Sequence, residues 1–342
     1  MSAAPADPAG CRRIVRAPNH LGDVIMALPA LAAHGADIMV RRWLAPLLEM
    51  ADLPGRVLPL DAGLGGWRAA VGALRRGGYE DGVLLTPSFS AAWLFRWGGV
   101  SRLRGTDTDG RGWMLRQRLP REVLRGHHRI NQYRLLLGQD PGAEPAFRPI
   151  RPRPEVLDRW SGRLPARGKE GLVGLFPGSN ATARRWPVER FAAVARTFLD
   201  RGVGVAILGG AGERALTAAV AAGARGAVDL GGETDLWGLA AILSLCDLVV
   251  TNDTGPMHLA GAVGVPTVTL WGPSDPGEVG PPGPRHVRVT GATLPCKPCF
   301  KNACPRSGAG TVLPQAHEEC MRLIEVDQVV SAVEAWMPGG GA

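Results

Sequence analysis

The sequence predicts an α/β protein made of two doubly wound, parallel-sheet domains in tandem. Two observations carry that expectation. Short apolar runs, each about one strand long, alternate with helix-length stretches along the chain, as in parallel sheets covered on both faces. The alternation breaks once, between residues 141 and 169, in a Pro- and Arg-rich stretch that includes Arg151-Pro152-Arg153-Pro154, and then restarts. Such a stretch reads as a domain connection. The expected organisation is therefore a domain over 1–150, a linker over 151–170 and a second domain over 171–342, with a last helix that could pack back on the first domain.

In the first half, residues 12–18, 36–41, 56–60, 82–86 and 101–105 read as strands. Helices are expected at 22–35, 67–76, 91–97 and 127–138, and the Arg- and Gly-rich stretch 106–126 reads as a loop. In the second half the strands are 171–176, 203–208, 227–230, 248–251 and 267–271, with helices at 188–201, 213–222, 236–245 and 257–263. Ligands of such folds gather at the carboxyl ends of the strands, and two sheets in tandem leave a gap between them. Chemistry is therefore expected in the residues that directly follow strands.

Composition narrows the partners. The 342 residues are 45% hydrophobic and 20% charged, as in a globular chain, and Lys plus Arg exceed Asp plus Glu by 39 to 31, for a formal charge of +8. That excess favours anions such as nucleotides, phosphorylated glycans or an acidic membrane surface. Nucleic acid is disfavoured, because the arginines are scattered and no basic helix or aromatic RNA-binding signature occurs. No apolar run approaches the ~20 residues that span a bilayer, so no transmembrane segment is expected. The N-terminus has neither a basic nor an apolar signal region, so a reducing, cytoplasmic location is expected and the six cysteines are not assumed to be paired.

Residues 250–264 read V-T-N-D-T-G-P-M-H-L-A-G-A-V-G. Aspartic proteases carry Asp-Thr-Gly too, but they need two such loops for a shared proton, and this chain has one, between a strand and a helix. A helix start presents unpaired N–H groups and partial positive charge to an anion, worth ~0.3–1 kcal/mol from the dipole alone. Gly255 allows close approach, Pro256 suits a first turn and Thr254 adds a hydroxyl. A helix cap by Asp253 or Thr254 would account for the motif by itself. A second turn, F-P-G-S-N-A-T-A-R-R-W-P over 176–187, decides for an anion site. Ser179 and Thr182 bring hydroxyls, and Arg184 and Arg185 bring guanidinium forks suited to a diphosphate.

A glycine turn at 209–212 lacks full dinucleotide-fingerprint spacing. Glu213 behind it either accepts ribose hydroxyls or is a first-turn acid favoured by the helix dipole. In the first half, Asp23 opens a helix directly after a strand. It is either a helix-start acid or a general base, the latter worth ~10²–10⁴ in rate, with His20 as a rival base. Asp107-Thr108-Asp109 reads as a polar turn.

N-H-L-G-D-V-I-M-A-L-P-A-L, P-G-S-x-x-x-x-x-R-W-P and T-N-D-T-G-P-M-H-L-A, in that order, resemble glycosyltransferase family 9, the ADP-heptose:lipopolysaccharide heptosyltransferases, most of all its heptosyltransferase II branch. The resemblance spans nearly the whole chain. It implies the GT-B fold, an inverting transfer without a catalytic metal, an ADP-sugar donor and a lipopolysaccharide-core acceptor at the inner leaflet, reached by a cytoplasmic enzyme peripheral to the membrane. It also implies that Asp23 is the catalytic base, that Asp253, Thr254, Gly255 and His258 form the donor loop, and that Ser179 and Thr182 lie in the phosphate turn. By a looser alignment, Glu213 and Thr234 hold the nucleoside. Where the family usually has Lys, this chain has Arg184, which keeps the charge but changes reach and geometry, so another donor stays open.

Arg96, Arg102, Arg104, Arg111, Arg116 and Arg118 are expected to form basic surface suited to a phosphorylated acceptor, with plain solubility as the alternative. Cys296, Cys299, Cys304 and Cys320 have a spacing that would allow a structural zinc, against thiols in a reducing cell or an adventitious disulfide. Cys11 and Cys246 stand alone, the latter in the core. Readings of other classes are an NAD-linked oxidoreductase and a non-catalytic nucleotide- or glycan-binding module. Within the family, first-heptose transfer stays open.

Overall fold

A computed structural model describes residues 12–142, 144–165, 171–304 and 319–337. Cys11 lies outside them. The chain forms two compact units, Met1–Arg148 and Pro149–Ala342.

The first unit contains β1 (Arg12–Arg16), α1 (Leu21–His34), β2 (Asp37–Arg41), α2 (Ala45–Met50), β3 (Val57–Leu60), α3 (Gly63–Gly77), β4 (Tyr79–Leu84), α4 (Phe89–Trp97), β5 (Arg102–Thr106), β6 (Gln117–Leu119) and α5 (Arg129–Leu136). The sheet is parallel in the order β3-β2-β1-β4-β5-β6. One core lies on the face covered by α3 and α4, where Ile14, Leu74, Phe95 and Leu103 interlock.

The second unit contains α6 (Pro154–Ser161), β7 (Leu172–Phe176), α7 (Val188–Asp200), β8 (Gly204–Ile207), α8 (Arg214–Ala222), β9 (Val228–Asp229), α9 (Leu236–Leu245), β10 (Leu248–Asn252), α10 (Gly255–Val263), β11 (Thr267–Trp271), α11 (Pro276–Val279), β12 (His286–Thr290), α12 (Glu319–Arg322) and α13 (Val326–Glu334). Its sheet is also parallel, in the order β12-β11-β10-β7-β8-β9. β7, β10 and β11 are buried at every position, which is why they read as continuous apolar runs and not as alternating ones. α7 turns Phe191, Val194, Ala195 and Phe198 onto them. Each large side chain buried this way stabilises the fold by about 1.5–3 kcal/mol.

Both sheets have the order of a doubly wound dinucleotide fold, with winding that reverses between β1 and β4 and again between β7 and β10. Loops diverge at these reversals and leave room for a ligand at the carboxyl edge.

Several expectations need correction. The Pro- and Arg-rich stretch is not only a linker: Pro154 sits in the first turn of α6, and Trp160 is buried against Gly238 of α9. A Cβ on Gly238 would come within 2.6 Å of the indole nitrogen, so glycine is required there. Stretch 106–126 holds β6 and two 3₁₀ turns as well as loop. The last helix packs on α7, β11 and β12 of its own unit, with Val329 and Val333 in that core.

Arg111 is not surface. It is fully buried and donates to the carbonyls of Thr86, Ser88 and Thr106, which ties the loop after β5 to the one after β4. Burial holds its pKa down to about 10. Arg102, Arg104 and Arg116 line a cavity of about 310 Å³ with Arg13 and His34, at the amino ends of the strands.

Candidate active site

The second unit brings the two anion turns together. β7 and β10 are hydrogen-bonded neighbours, so the turn after one lies against the turn after the other at the switch point. Asn252 fastens the pair: its amide nitrogen donates to the Pro177 carbonyl at 2.8 Å, and its oxygen accepts from the Trp186 N–H at 3.1 Å. Trp186 anchors the far end of the turn, fully buried edge-on to Phe191.

Within this frame Arg184 Nη1 lies 3.1 Å from Asp253 Oδ2. The contact is an ion pair poorly aligned as a hydrogen bond, because Arg184 Nε and Asp253 Oδ2 are both buried with no hydrogen-bond partner among the described residues. Such orphaned groups are costly and mark a place where a ligand is expected. Burial raises the Asp253 pKa, opposed in part by Arg184 and by the Ser274 hydroxyl. Ser274 is buried and follows β11, so a third strand end contributes. Arg185 Nε donates to the carbonyl of buried Ser179 at 2.8 Å and fixes the second guanidinium over the same turn.

α10 begins at once after this turn. Thr254 is its N-cap in extended backbone, yet its side chain makes no capping hydrogen bond, and no acid sits in the first turn. The cap role that would have accounted for the motif is therefore absent. Gly264, left-handed at φ 88, closes the helix. His258 is buried on α10 beside Met257.

Other residues land beside the cradle with different roles. Glu213 Oε2 accepts from the Gly210 N–H at 2.8 Å in a reciprocal cap. Its carboxylate packs on Gly178, where an added Cβ would lie 2.0 Å from Oε1. Thr234 follows β9, and its loop joins that of β8 through the Gly232 N–H and the Gly209 carbonyl, 2.8 Å apart. The Thr182 hydroxyl donates to the Asn302 carbonyl at 3.3 Å, and Ala183 N–H donates to the same oxygen at 3.0 Å. The cysteine-bearing segment thus braces the 176–187 turn.

Among the described residues no group of three or more His, Cys, Asp or Glu side chains could hold a metal, so the four-cysteine spacing does not close into a zinc site there. Cys320 is buried in the core of the second unit and Cys296 is exposed.

In the first unit Asp23 stands in the first turn of α1, at the carboxyl edge beside the β1/β4 switch point. The Tyr133 hydroxyl, from α5, donates to Asp23 Oδ1 at 2.9 Å. Burial, then the Asp23 charge, holds the phenol well above its ordinary pKa, so it remains a donor. Buried Arg16 shapes the preceding loop by donating to the Ala17 carbonyl and to Asn19 Oδ1, both at 2.6 Å. The rival base His20 is exposed.

Sequence reasoning passed over Tyr133, Asn252 and Ser274. Asn252 and Ser274 follow strands, as the site residues do, and a polar residue at the end of a buried strand was the available signal. Tyr133 carried no local signal, since α1 and α5 meet only in the fold.

The family model for glycosyltransferase family 9 (heptosyltransferase) matches residues 67–309. Lipopolysaccharide heptosyltransferase 1 of Pseudomonas aeruginosa is 30% identical over 84% of this chain and 85% of its own. Lipopolysaccharide heptosyltransferase 2 of Escherichia coli is 26% identical over 81% and 86%. The solved structure of the E. coli ADP-heptose lps heptosyltransferase II superposes with a TM-score of 0.77 at 21% identity, covering 95% of this chain and 98% of that one. It shares the fold of two doubly wound sheets described above. The chain belongs to glycosyltransferase family 9, the heptosyltransferases.

Proposed function

We propose that the protein is an inverting glycosyltransferase that moves heptose from ADP-heptose to the inner core of lipopolysaccharide, onto an acceptor that already carries a heptose. The observation that carries the donor half is the ion pair of Arg184 and Asp253 at the β7/β10 switch point, with buried atoms that lack hydrogen-bond partners among the described residues. A diphosphate satisfies Arg184, Arg185, the Ser179 turn and the start of α10 at Thr254 and Gly255. Asp253 and His258 face the sugar side of the same loop, and Glu213 and Thr234 lie towards the nucleoside.

Asp23, oriented by Tyr133, takes the proton of the acceptor hydroxyl. The hydroxyl oxygen bonds to the anomeric carbon from the face opposite the leaving group, the bond from that carbon to the phosphate oxygen breaks, and ADP departs with the electron pair. The guanidinium groups and helix start stabilise the charge on departing ADP, the electrostatic contribution that usually dominates such catalysis. No residue role here calls for a catalytic metal. The chain works at the cytoplasmic face of the inner membrane, where the growing core is attached to lipid, and no helix among the described residues is long and apolar enough to cross a membrane.

A donor panel tests the reading. ADP-heptose, ADP-mannose and UDP- or GDP-sugars are offered with deacylated core acceptors bearing no heptose or one, and products are scored by mass. Transfer from ADP-heptose to the one-heptose core is expected. Transfer only from a non-adenine donor overturns the assignment, and preference for the heptose-free core moves it to the first-heptose step.

A further inference from the structure

The outer face of α3 and α4 carries a continuous run of aromatic rings, exposed except for half-buried Trp67. Trp67 meets Trp97 at 5.9 Å between centroids, Trp97 meets Trp93 at 5.9 Å, and Trp93 stacks on Phe89 at 6.0 Å and touches Trp113 at 6.5 Å. Trp113 is 66% exposed, Trp97 49%, and Trp93 and Phe89 38% each, with Leu64 beside them on α3 at 74%. On α4 the rings recur at every fourth residue, while Ala91, Ala92, Leu94 and Phe95 face the core. The exposed rings are thus a second apolar face, over and above the one that folds the domain. Contiguous apolar surface of this kind marks an interaction site.

Charge selects the partner. α3 carries Arg68, Arg75 and Arg76, α4 carries Arg96, all exposed, and neither helix has an acidic residue. Arg75 donates to the Trp97 carbonyl at 3.1 Å and Arg96 to that of Ser101 at 3.0 Å, which keeps both beside the rings. Three acids border the patch, and each is engaged: Asp109 accepts from the Phe89 N–H at 2.9 Å, Asp61 beside Gly66 pairs with Arg42, and Asp107 beside Gly112 lies 3.8 Å from Arg118. A second copy of the chain on this face would set arginines against arginines. Tryptophan favours the boundary of headgroup and hydrocarbon, and arginine is drawn to anionic headgroups.

We propose that this α3–α4 face docks on an anionic bilayer surface, with Trp93, Trp97 and Trp113 entering the interface. Phe89 opens α4 after residues 85–88, which follow the strand end of β4, and Trp113 lies in the segment that follows β5. Docking therefore holds the carboxyl edge that bears Asp23 close to the lipid. That consequence rests on the acceptor reading above, whereas the docking itself does not.

The test uses the full chain without nucleotide or acceptor, mixed with phosphatidylcholine vesicles or vesicles containing phosphatidylglycerol. Co-sedimentation with the anionic vesicles, weakened by salt, is expected, together with quenching of tryptophan fluorescence by lipids brominated high on the acyl chain. The triple substitution Trp93→Ser, Trp97→Ser and Trp113→Ser should lower partitioning about tenfold or more and remove most of the quenching. Arg68→Glu with Arg76→Glu, which leaves every ring in place, should weaken binding to anionic vesicles selectively. Circular dichroism melts establish that both variants fold. Absence of vesicle binding by the wild type, or binding unchanged in both variants, overturns the proposal. So does a dimer, seen by light scattering, that the triple substitution dissolves.

Discussion

Arg184 and Asp253 meet at 3.1 Å across the switch point of the second sheet, although they follow different strands. The pair is a guanidinium held ready by a buried acid that itself is poorly served. On the function proposed above, a diphosphate entering the turn competes with Asp253 for Arg184, and the acid keeps the cation in place between turnovers without pairing it fully.

Asp253 should cost the fold stability at neutral pH. Its folded pKa lies above the ordinary carboxylate value because it is buried. Stability that is present below that ordinary value is lost as pH rises through the raised one. Asp253→Asn should therefore melt higher than the wild type at pH 7, by more than at pH 4. Thermal melts across that range check this, and a difference that grows towards acid would contradict it.

Asp23→Ala should lower kcat by about 10²–10⁴ and leave ADP binding intact, since the base acts on the acceptor. Tyr133→Phe should have a smaller effect. Loss of the hydrogen bond donated at 2.9 Å removes the group that orients the Asp23 carboxylate, so kcat should fall while ADP binding and the KM for the donor stay unchanged. A lower melting temperature with kcat unchanged would mean Tyr133 only supports the helix.

Two histidines should make the fold acid-sensitive. Burial, followed by Arg13 and Arg104 for His34 and by Arg285 and Arg288 for His286, lowers each pKa to about 4. Because the unfolded chain takes up these protons near 6.5, stability is full above that pH and falls as pH drops towards 4. The double variant His34→Gln/His286→Gln should lose less melting temperature between pH 7 and pH 4.5 than the wild type does.

The sequence made strands legible where they are buried on both faces, and two of the predicted elements, residues 236–245 and 267–271, match α9 and β11 to the residue. It concealed elements whose reason lies elsewhere in the fold. β6 is three residues of ordinary polarity whose pairing depends on β5, and α6 hides in a Pro-Arg stretch because its one deeply buried side chain, Trp160, finds its partner at Gly238. The proposed site was readable through glycine, hydroxyl and arginine after strand ends. The partners that aim those groups were not, because Tyr133 and Asn252 act across distances only the tertiary structure sets. Arg111 shows the opposite error, a charge taken for surface that is a buried clamp for carbonyls.

Calorimetric titration of adenosine, AMP and ADP into the wild type, Arg184→Lys and Arg184→Ala tests the diphosphate cradle most directly. Charge-assisted hydrogen bonds worth about 1.5–3 kcal/mol predict that the wild type binds ADP at least about tenfold more tightly than AMP. The advantage should shrink in Arg184→Lys and vanish in Arg184→Ala, with adenosine unaffected. Equal affinity for AMP and ADP in the wild type, or an ADP preference that survives Arg184→Ala, would contradict it.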